Sequence, residues 1–571
     1  MTPRYLILAR GDQAQRRAIA ERVTGPTGLT IVAELPTALV VADRATKYGL
    51  PLKPLVLGDM FARQTGERID ERERGGCLTS PDTMLRTAWG RYLAIFDDGA
   101  AGLRIVRDPS GAVACYYRLT TDMIAIASDL QLLDLAMPAR AGLDWSEIGR
   151  LLVEVDLRSP RTGLANTTEL LPGTLLTIGP ADHTLSSCWS PWDHARPSRD
   201  QDFGRAAATL RERIATVTAA LAAAHEGAIA TVSGGLDSSI VALTLAGHVD
   251  LGCLTLATED PSGDERRYAR LVAAATGSRY LEHILDPAAI DLQRSQAAHL
   301  PRPVGRPFLV PMIAAFTEAI RLCDATTVFN GIGGDNVFCF LQSATPAADR
   351  LTRGDLIGAA VTVGDIARMT GASYPTVATA ALRRAAQGNK PRPWRRDCRF
   401  VRPELAREIA DYAHPWLQPS AGGRVGTGAH VTMLLRAQNY IDPWTPDFPA
   451  DVINPLLAQP VVEHCLGIPS WEWCRGGRDR SVARAAFADR LPPAIVQRSW
   501  KGGPDGFIAA IVDRRRETIQ QLLAEGMLAE QGLVDRGAVR GALEDRRPLA
   551  AGNALRLLSL ADTEAWVRTH G

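Results

Sequence analysis

The chain has 571 residues, with 64 Lys plus Arg against 63 Asp plus Glu, 46% hydrophobic and 22% charged residues. That length gives two or three domains, each with its own core, and the apolar content excludes a wholly disordered chain. A net charge of +1 lacks the basic excess of a nucleic-acid binder, and no run reaches the 18 apolar residues of a membrane span.

Neither nucleic acid nor a membrane is therefore expected as a partner. The nine Cys form no C-x-x-C pair and are odd in number, which reads as scattered reduced thiols of a cytoplasmic protein. The apolar run Tyr5–Ala9 is too short for a signal peptide. Of the basic residues only Lys47, Lys53, Lys390 and Lys501 are Lys; the other 60 are Arg.

Residues 1 to about 190 read as mostly strands and turns. Tyr5–Ala9, Leu29–Glu34, Ala38–Val41 and Leu103–Val106 are apolar or alternating runs separated by Gly, Pro and Asp. Residues 191–204, opening on Pro191-Trp192, read as a linker. From 205 the style changes. Leu210, Ile214, Val217 and Leu221 form one helical stripe. A strand (Ala228–Val232), a helix (Ser239–Ala246), a strand (Cys253–Ala257), a helix (Asp264–Thr276), a strand near Tyr280–Ile284, a helix (Val310–Leu322) and a strand (Thr327–Phe329) follow. Strands alternating with helices predict a parallel α/β sheet. Residues 351–445 and the last 70 read as helical. Within 383–402 lies a basic, Pro-interrupted stretch, open to two readings: a loop over a substrate site or a solvated surface loop.

Three segments carry chemistry. In the first, the strand Ala228–Val232 runs into Ser233-Gly234-Gly235-Leu236-Asp237-Ser238-Ser239. Adjacent glycines let the backbone approach an anion, and the helix that follows presents unpaired N–H groups and its positive end. Ser233, Ser238 and Ser239 add hydroxyls. Asp237 would repel phosphate unless a cation intervened, so Mg²⁺ is expected. The pattern is neither G-x-x-x-x-G-K-[ST] nor G-x-G-x-x-G. The second segment, Thr327–Phe338, repeats strand, Gly-rich turn (Asn330-Gly331-Ile332-Gly333-Gly334) and acid (Asp335). In a parallel sheet both turns lie at the carboxyl edge, where Asp335 is expected to meet Asp237 across one Mg²⁺. The third, Arg498-Ser499-Trp500-Lys501-Gly502-Gly503, puts a Lys before two Gly, a flexible ammonium suited to pyrophosphate and a developing oxyanion.

The seven residues Ser233–Ser239 match the pyrophosphate loop of ATP pyrophosphatases, and the three segments in this order resemble the asparagine synthetase superfamily over nearly the whole chain. Gly90–Phe96, Arg104–Gly111, Tyr116-Tyr117 and Leu171-Pro172-Gly173 look like its N-terminal glutaminase domain. Asn454–Leu457, Val462-Glu463 and Arg478–Arg484 look like its approach to the Lys. The resemblance implies an N-terminal glutaminase-like (Ntn-type) αβ sandwich at 1–190, degenerate here, and an α/β ATP-pyrophosphatase domain with a helical C-terminal part at 205–571. Two departures point to a branch. Glutaminases of the family carry Cys after the initiator Met, and here Thr2-Pro3 stands there. Asparagine synthetases carry Glu, and β-lactam synthetases Tyr, where Ile332 stands. What remains resembles the lasso-peptide macrolactam synthetases.

That resemblance implies an ATP- and Mg²⁺-dependent ligase that adenylates an Asp or Glu side chain of a cleaved precursor peptide and closes it onto the peptide's own N-terminal amine. A leader peptidase and a leader-recognition protein are the further partners implied; the alternative is a ligase of a small amino acid. It assigns Thr231, Ser233, Gly234, Gly235, Leu236, Asp237, Ser238, Ser239, Leu256, Asn330 and Gly331 to the nucleotide and Asp237 and Asp335 to Mg²⁺. Lys501 and Asp335 go to catalysis. It names no general base: Asp335, Glu265 and the substrate itself remain open.

Overall fold

The computed structural model describes residues 2–43, 54–69, 78, 80–138, 142–196, 202–260, 263–390, 394–420, 422–498, 502–545, 547 and 549–571. Lys47, Lys53 and Lys501 lie outside them.

Among the described residues, eleven strands build the front half: β1 (Tyr5–Arg10), β2 (Thr30–Glu34), β3 (Ala38–Ala42), β4 (Leu55–Ala62), β5 (Ala88–Asp97), β6 (Leu103–Arg107), β7 (Tyr116–Leu119), β8 (Met123–Ala127), β9 (Thr168–Glu169), β10 (Thr174–Ile178) and β11 (His183–Ser187). They pair antiparallel in two sheets, β2-β3-β1-β8-β7-β9 and β11-β10-β6-β5-β4. Alternation along each strand explains the layering. Tyr5, Ile7 and Ala9 face one apolar cluster with Leu57, Leu93, Ile105 and Leu176 of the other sheet. Leu6 and Leu8 turn to the opposite face, against Ala20, Val23, Leu130 and the C-terminal helices. Two sheets face to face with helices outside form a sandwich.

The helix Gln13–Thr27 departs from the strands-and-turns reading. It buries only Arg16, Ala20 and Val23 and carries Pro26, so it shows almost no apolar stripe. Its one local sign is Asp12, whose side chain caps Gln15 N–H at 2.7 Å.

The back half is organised on a five-stranded parallel sheet ordered β14-β13-β12-β15-β16, from β12 (Gly227–Thr231), β13 (Asp250–Ala257), β14 (Arg279–Ile284), β15 (Thr327–Phe329) and β16 (Asp451–Ile453). The expected alternation holds, with helices Leu236–Leu245, Arg266–Thr276 and Val310–Cys323 as its crossovers. Strand β16, three residues long, was not legible in the sequence. Residues 345–437 contribute helices, as do the last 70 residues. No helix among the described residues is long and apolar enough to cross a membrane, and the eight described cysteines are all reduced.

The stretch read as a linker is packed. Pro191–His194 is a short helix, Trp189 donates to Glu463 Oε1 at 2.8 Å and Trp192 to the Trp416 carbonyl at 2.8 Å. A buried chain of ions joins the halves: Arg107 and Arg158 on Glu169, and Arg158 and Arg302 on Asp442.

Candidate active site

Strand β12 ends at Thr231 and the chain turns through Val232–Gly235 into the helix Leu236–Leu245, with Gly235 as its N-cap. Gly234 has φ +64°, and a Cβ there would lie 2.2 Å from the Cβ of Tyr268, so only Gly fits. The serines hold the turn's shape. Gly235 N–H donates to Ser233 Oγ at 3.3 Å, and the Ser233 and Ser238 hydroxyls are 3.2 Å apart. Ser239 is fully buried, and both its hydroxyl (2.6 Å) and its backbone N–H (3.2 Å) go to the Gly235 carbonyl. It braces the loop from behind instead of facing its mouth.

The second loop leaves β15 beside the first. A Cβ on Gly331 would lie 2.6 Å from the Ser238 nitrogen, and one on Gly334 2.4 Å from the Asp237 Cβ. The two glycines are therefore what lets the loops touch. Asn330 accepts the Ile332 N–H at 3.0 Å and donates its own N–H to the Ile453 carbonyl at 3.1 Å. Its amide nitrogen Nδ2 is buried with no partner in the protein, a donor available to a ligand. Leu256, on β13, is half-buried.

Asp237 and Asp335 do converge, and a guanidinium joins them. Arg480 NH1 donates to Asp237 Oδ2 at 3.0 Å and to Asp335 Oδ1 at 2.6 Å, and its Nε to Asp479 at 2.8 Å. Burial would lower its pKa, but the three carboxylates raise it and keep it charged. Arg480 has φ +48° and ψ +35° at the start of the helix Ser481–Ala486, a left-handed conformation that costs a non-Gly residue about 1–2 kcal/mol. It also lies over the Phe340 ring at 5.0 Å.

The donor set fits Mg²⁺. No group of three or more His, Cys, Asp or Glu converges among the described residues. Two carboxylate oxygens reach one point, as Mg²⁺ needs when substrate phosphates supply the remaining ligands. Asp237 and Asp335 would hold the ion, which would neutralise charge on the bound phosphates.

A second arginine supports the first loop. Arg498 NH1 donates to the Gly234 and Ser233 carbonyls at 3.0 and 3.3 Å, its NH2 to Glu265 Oε1 at 2.7 Å, and its plane covers the Tyr268 ring at 4.0 Å. Glu265, left open as a base, is thus engaged in an ion pair. Lys501 lies outside the described residues; the Gly503 carbonyl just after it is close to Gly263. Sequence reasoning noted Arg480 and Arg498 only as flanking positions. Their roles depend on long-range contacts that no local pattern shows.

The basic stretch is tied down where it is described. Arg383 and Arg384 belong to the helix Tyr374–Gln387. Trp394 is buried and donates to the Val155 carbonyl; Arg396, Arg399 and Arg402 pair with Asp411, Asp397 and Glu408. Residues 391–393 lie outside the described set.

At the seam between the halves, the Thr2 hydroxyl donates to Asp451 Oδ1 at 2.9 Å and Arg91 NH2 to Asp451 Oδ2 at 2.7 Å. Arg91 also holds Asp59 at 3.2 Å. The position where the family's glutaminases carry their nucleophile is thereby tied to a carboxylate of the synthetase sheet.

Among known proteins, the family model described as asparagine synthase matches residues 209–568, more than half of the chain. No curated protein matches the sequence. Two solved structures align loosely. One is the glutamine phosphoribosylpyrophosphate amidotransferase from B. subtilis complexed with ADP and GMP, at 13% identity over 49% of this chain and 65% of that one, with a TM-score of 0.22. The other is the allosteric regulatory enzyme of purine biosynthesis, at 9% identity over 55% and 91%, with a TM-score of 0.21. At such scores neither carries an argument.

Proposed function

We propose that this chain, which belongs to the asparagine synthase family, closes a macrolactam within a peptide, as lasso-peptide macrolactam synthetases do. The coarser class is secure: the family's members are ATP-dependent carbon–nitrogen ligases, and this chain is one.

A carboxylate is a poor acyl donor, because an oxide would have to leave. Its attack on the α-phosphate of ATP forms an acyl-adenylate and releases pyrophosphate, and AMP is then a good leaving group. Gly234, Gly235 and the start of the helix Leu236–Leu245 direct N–H groups at the pyrophosphate. Ser233 and Ser238 keep that loop in shape, and Arg498 holds it from outside. Asn330 offers its unpartnered amide. In the proposed second step, the peptide's N-terminal amine attacks the adenylate, AMP leaves, and Lys501 steadies the tetrahedral oxyanion. Holding both reacting ends in one site lowers the barrier by up to about 7–11 kcal/mol.

The observation that carries this reading is what stands at the two positions of ammonia chemistry in the family, Thr2 and Ile332. Ile332 occupies the second loop with an apolar side chain against the core and its N–H fixed by Asn330. Thr2 is held by Asp451. An amine brought by the substrate itself fits both. The test is incubation with a candidate precursor peptide, its leader peptidase and recognition protein, ATP and Mg²⁺. The expected product is lighter by one water, with one AMP and one pyrophosphate released per ring. Release of AMP without that mass change would exclude the reading.

A further inference from the structure

A cavity of about 260 Å³ among the described residues lies on the seam between the two halves and has no part in the steps above. Trp89, Tyr116, Trp444 and Phe448 line it. Trp444 is braced by Phe316 and Phe448, with ring centroids 4.8 and 5.0 Å away, so the aromatic wall is formed in advance. Asp43, Pro443 and Pro446, at its rim, are exposed.

Most charged groups that line it are paired, and Asp43, at the exposed rim, accepts the Arg4 backbone N–H at 3.2 Å. Arg4 holds Asp129 at 3.0 Å, Arg91 holds Asp59 and Asp451, and Asp442 receives Arg158 and Arg302. Burial lowers the pKa of His299, whose Nε2 lies 3.0 Å from the Pro443 carbonyl, so it adds no charge near neutral pH. A neutral occupant leaves these buried pairs in place. Two polar atoms of lining residues are buried with no hydrogen-bond partner: the donor Arg91 Nε and the acceptor Asn454 Oδ1. A buried acceptor without a donor is unfavourable, and an N–H donor on the occupant would satisfy it. Ring walls favour another ring in an offset or edge-on contact. An apolar cavity of about 150 Å³ suffices for benzene, so this one has room for a bicyclic ring.

The far wall gives the position. Leu457 lines the cavity and packs on the second glycine loop, where a Cβ on Gly333 would lie 2.4 Å from Leu457 Cδ2. One layer of side chain separates the cavity from Ile332 and Asp335.

We propose that this cavity binds an indole side chain of the peptide substrate, a tryptophan anchored while another part of the peptide reacts at the loops. The proposal rests on the peptide-ligase reading for its occupant. Ac-Gly-(5-fluoro-Trp)-Gly-NH2 and 5-fluoroindole are titrated into the full-length enzyme without ATP and followed by ¹⁹F NMR. Both are expected to bind saturably, the capped peptide at least as tightly as the free ring. Ala112→Phe, which fills the cavity, should weaken both at least tenfold with an unchanged melting curve. Asn454→Leu keeps the volume and should weaken 5-fluoroindole more than 5-fluoro-1-methylindole, which has no N–H. No saturable binding, equal affinity in Ala112→Phe, or equal loss of both indoles in Asn454→Leu overturns the proposal. So does binding of the free ring without the peptide, since the cavity then serves a small molecule. No ATP or ring closure enters this measurement. Its failure leaves the ligase reading untouched, and a failed cyclisation assay leaves ring binding to be judged on its own.

Discussion

Two arginines of this chain each lie between two carboxylates, and the two settings differ in what can replace the guanidinium. At the nucleotide loops Arg480 joins Asp237 to Asp335, whose side chain is 48% exposed. At the domain seam Arg91 joins Asp59 to Asp451, whose side chain is 1% exposed. The first acid pair faces solvent on one side and can exchange its cation when phosphate and metal arrive. In the second, Asp451 is buried beside the seam cavity, and its charges serve cohesion. The same ion-pair chemistry thus marks a working site in one place and a structural tie in the other, and the exposure of Asp335 against the burial of Asp451 separates them.

The largest effects should come from the open site. Asp237→Asn removes half of the expected cation site, and ATP–pyrophosphate exchange should fall about a thousandfold, roughly 4 kcal/mol of barrier, with circular dichroism unchanged. Lys501→Arg keeps the charge but replaces a compact ammonium by a planar fork; ring closure, read by mass spectrometry, should be lost. Near-wild-type turnover in either variant would remove that residue from the mechanism.

The seam site should respond in stability. Asp451→Asn leaves Arg91 in the interior with only Asp59, and breaking a buried pair costs about 3–5 kcal/mol, seen as an earlier first transition in urea. Burial would raise the Asp451 pKa, but Arg91 and Thr2 outweigh it and hold it below the ordinary carboxylate range. A depressed folded pKa gives stability that is present above the unfolded value, about 3.9, and lost as pH falls below it. The gap between wild type and Asp451→Asn should therefore be full at pH 6 and shrink below about pH 4. A constant gap would assign the stabilisation to packing.

Arg480 connects the two settings. If it stands where the metal will bind, Arg480→Gln removes a competing cation. Mn²⁺ titrated without nucleotide and followed by electron paramagnetic resonance should then bind about tenfold tighter, roughly 1.4 kcal/mol. Weaker binding would mean that the guanidinium orders the carboxylates for the metal instead of occupying its place.

This contrast also explains what the sequence reveals. The parallel sheet, both glycine loops and the two aspartates are legible because each is local: an apolar strand, a run that only glycine permits, an acid at fixed spacing. Arg480 and Arg498 are two among 60 arginines, and only contacts over 145 to 265 residues of sequence single them out. Strand β16 has three residues and pairs only because β15 lies beside it. The stretch 191–204 reads as a linker, yet Trp189 just before it and Trp192 at its start bury their rings against the synthetase half. Tertiary packing overrode composition there.

The smallest expected effect tests the seam most directly. Thr2→Cys installs the nucleophile that the family's glutaminases use, at the position where they carry it. If the front domain lacked only that sulfur, glutamine hydrolysis should appear, measured as ammonia release. We expect none above wild type, and a stability change of only about 0.5–1.5 kcal/mol from the altered hydrogen bond. The neighbouring group is the reason. Thr2 lies 2.9 Å from a carboxylate that Arg91 keeps ionised, and a thiol beside a fixed negative charge has its pKa raised, which removes the reactive thiolate. Ammonia release from Thr2→Cys alone would show that Asp451 yields to substrate, and the front site would then belong with the open one. Release only from Thr2→Cys combined with Asp451→Asn would place the block at the carboxylate.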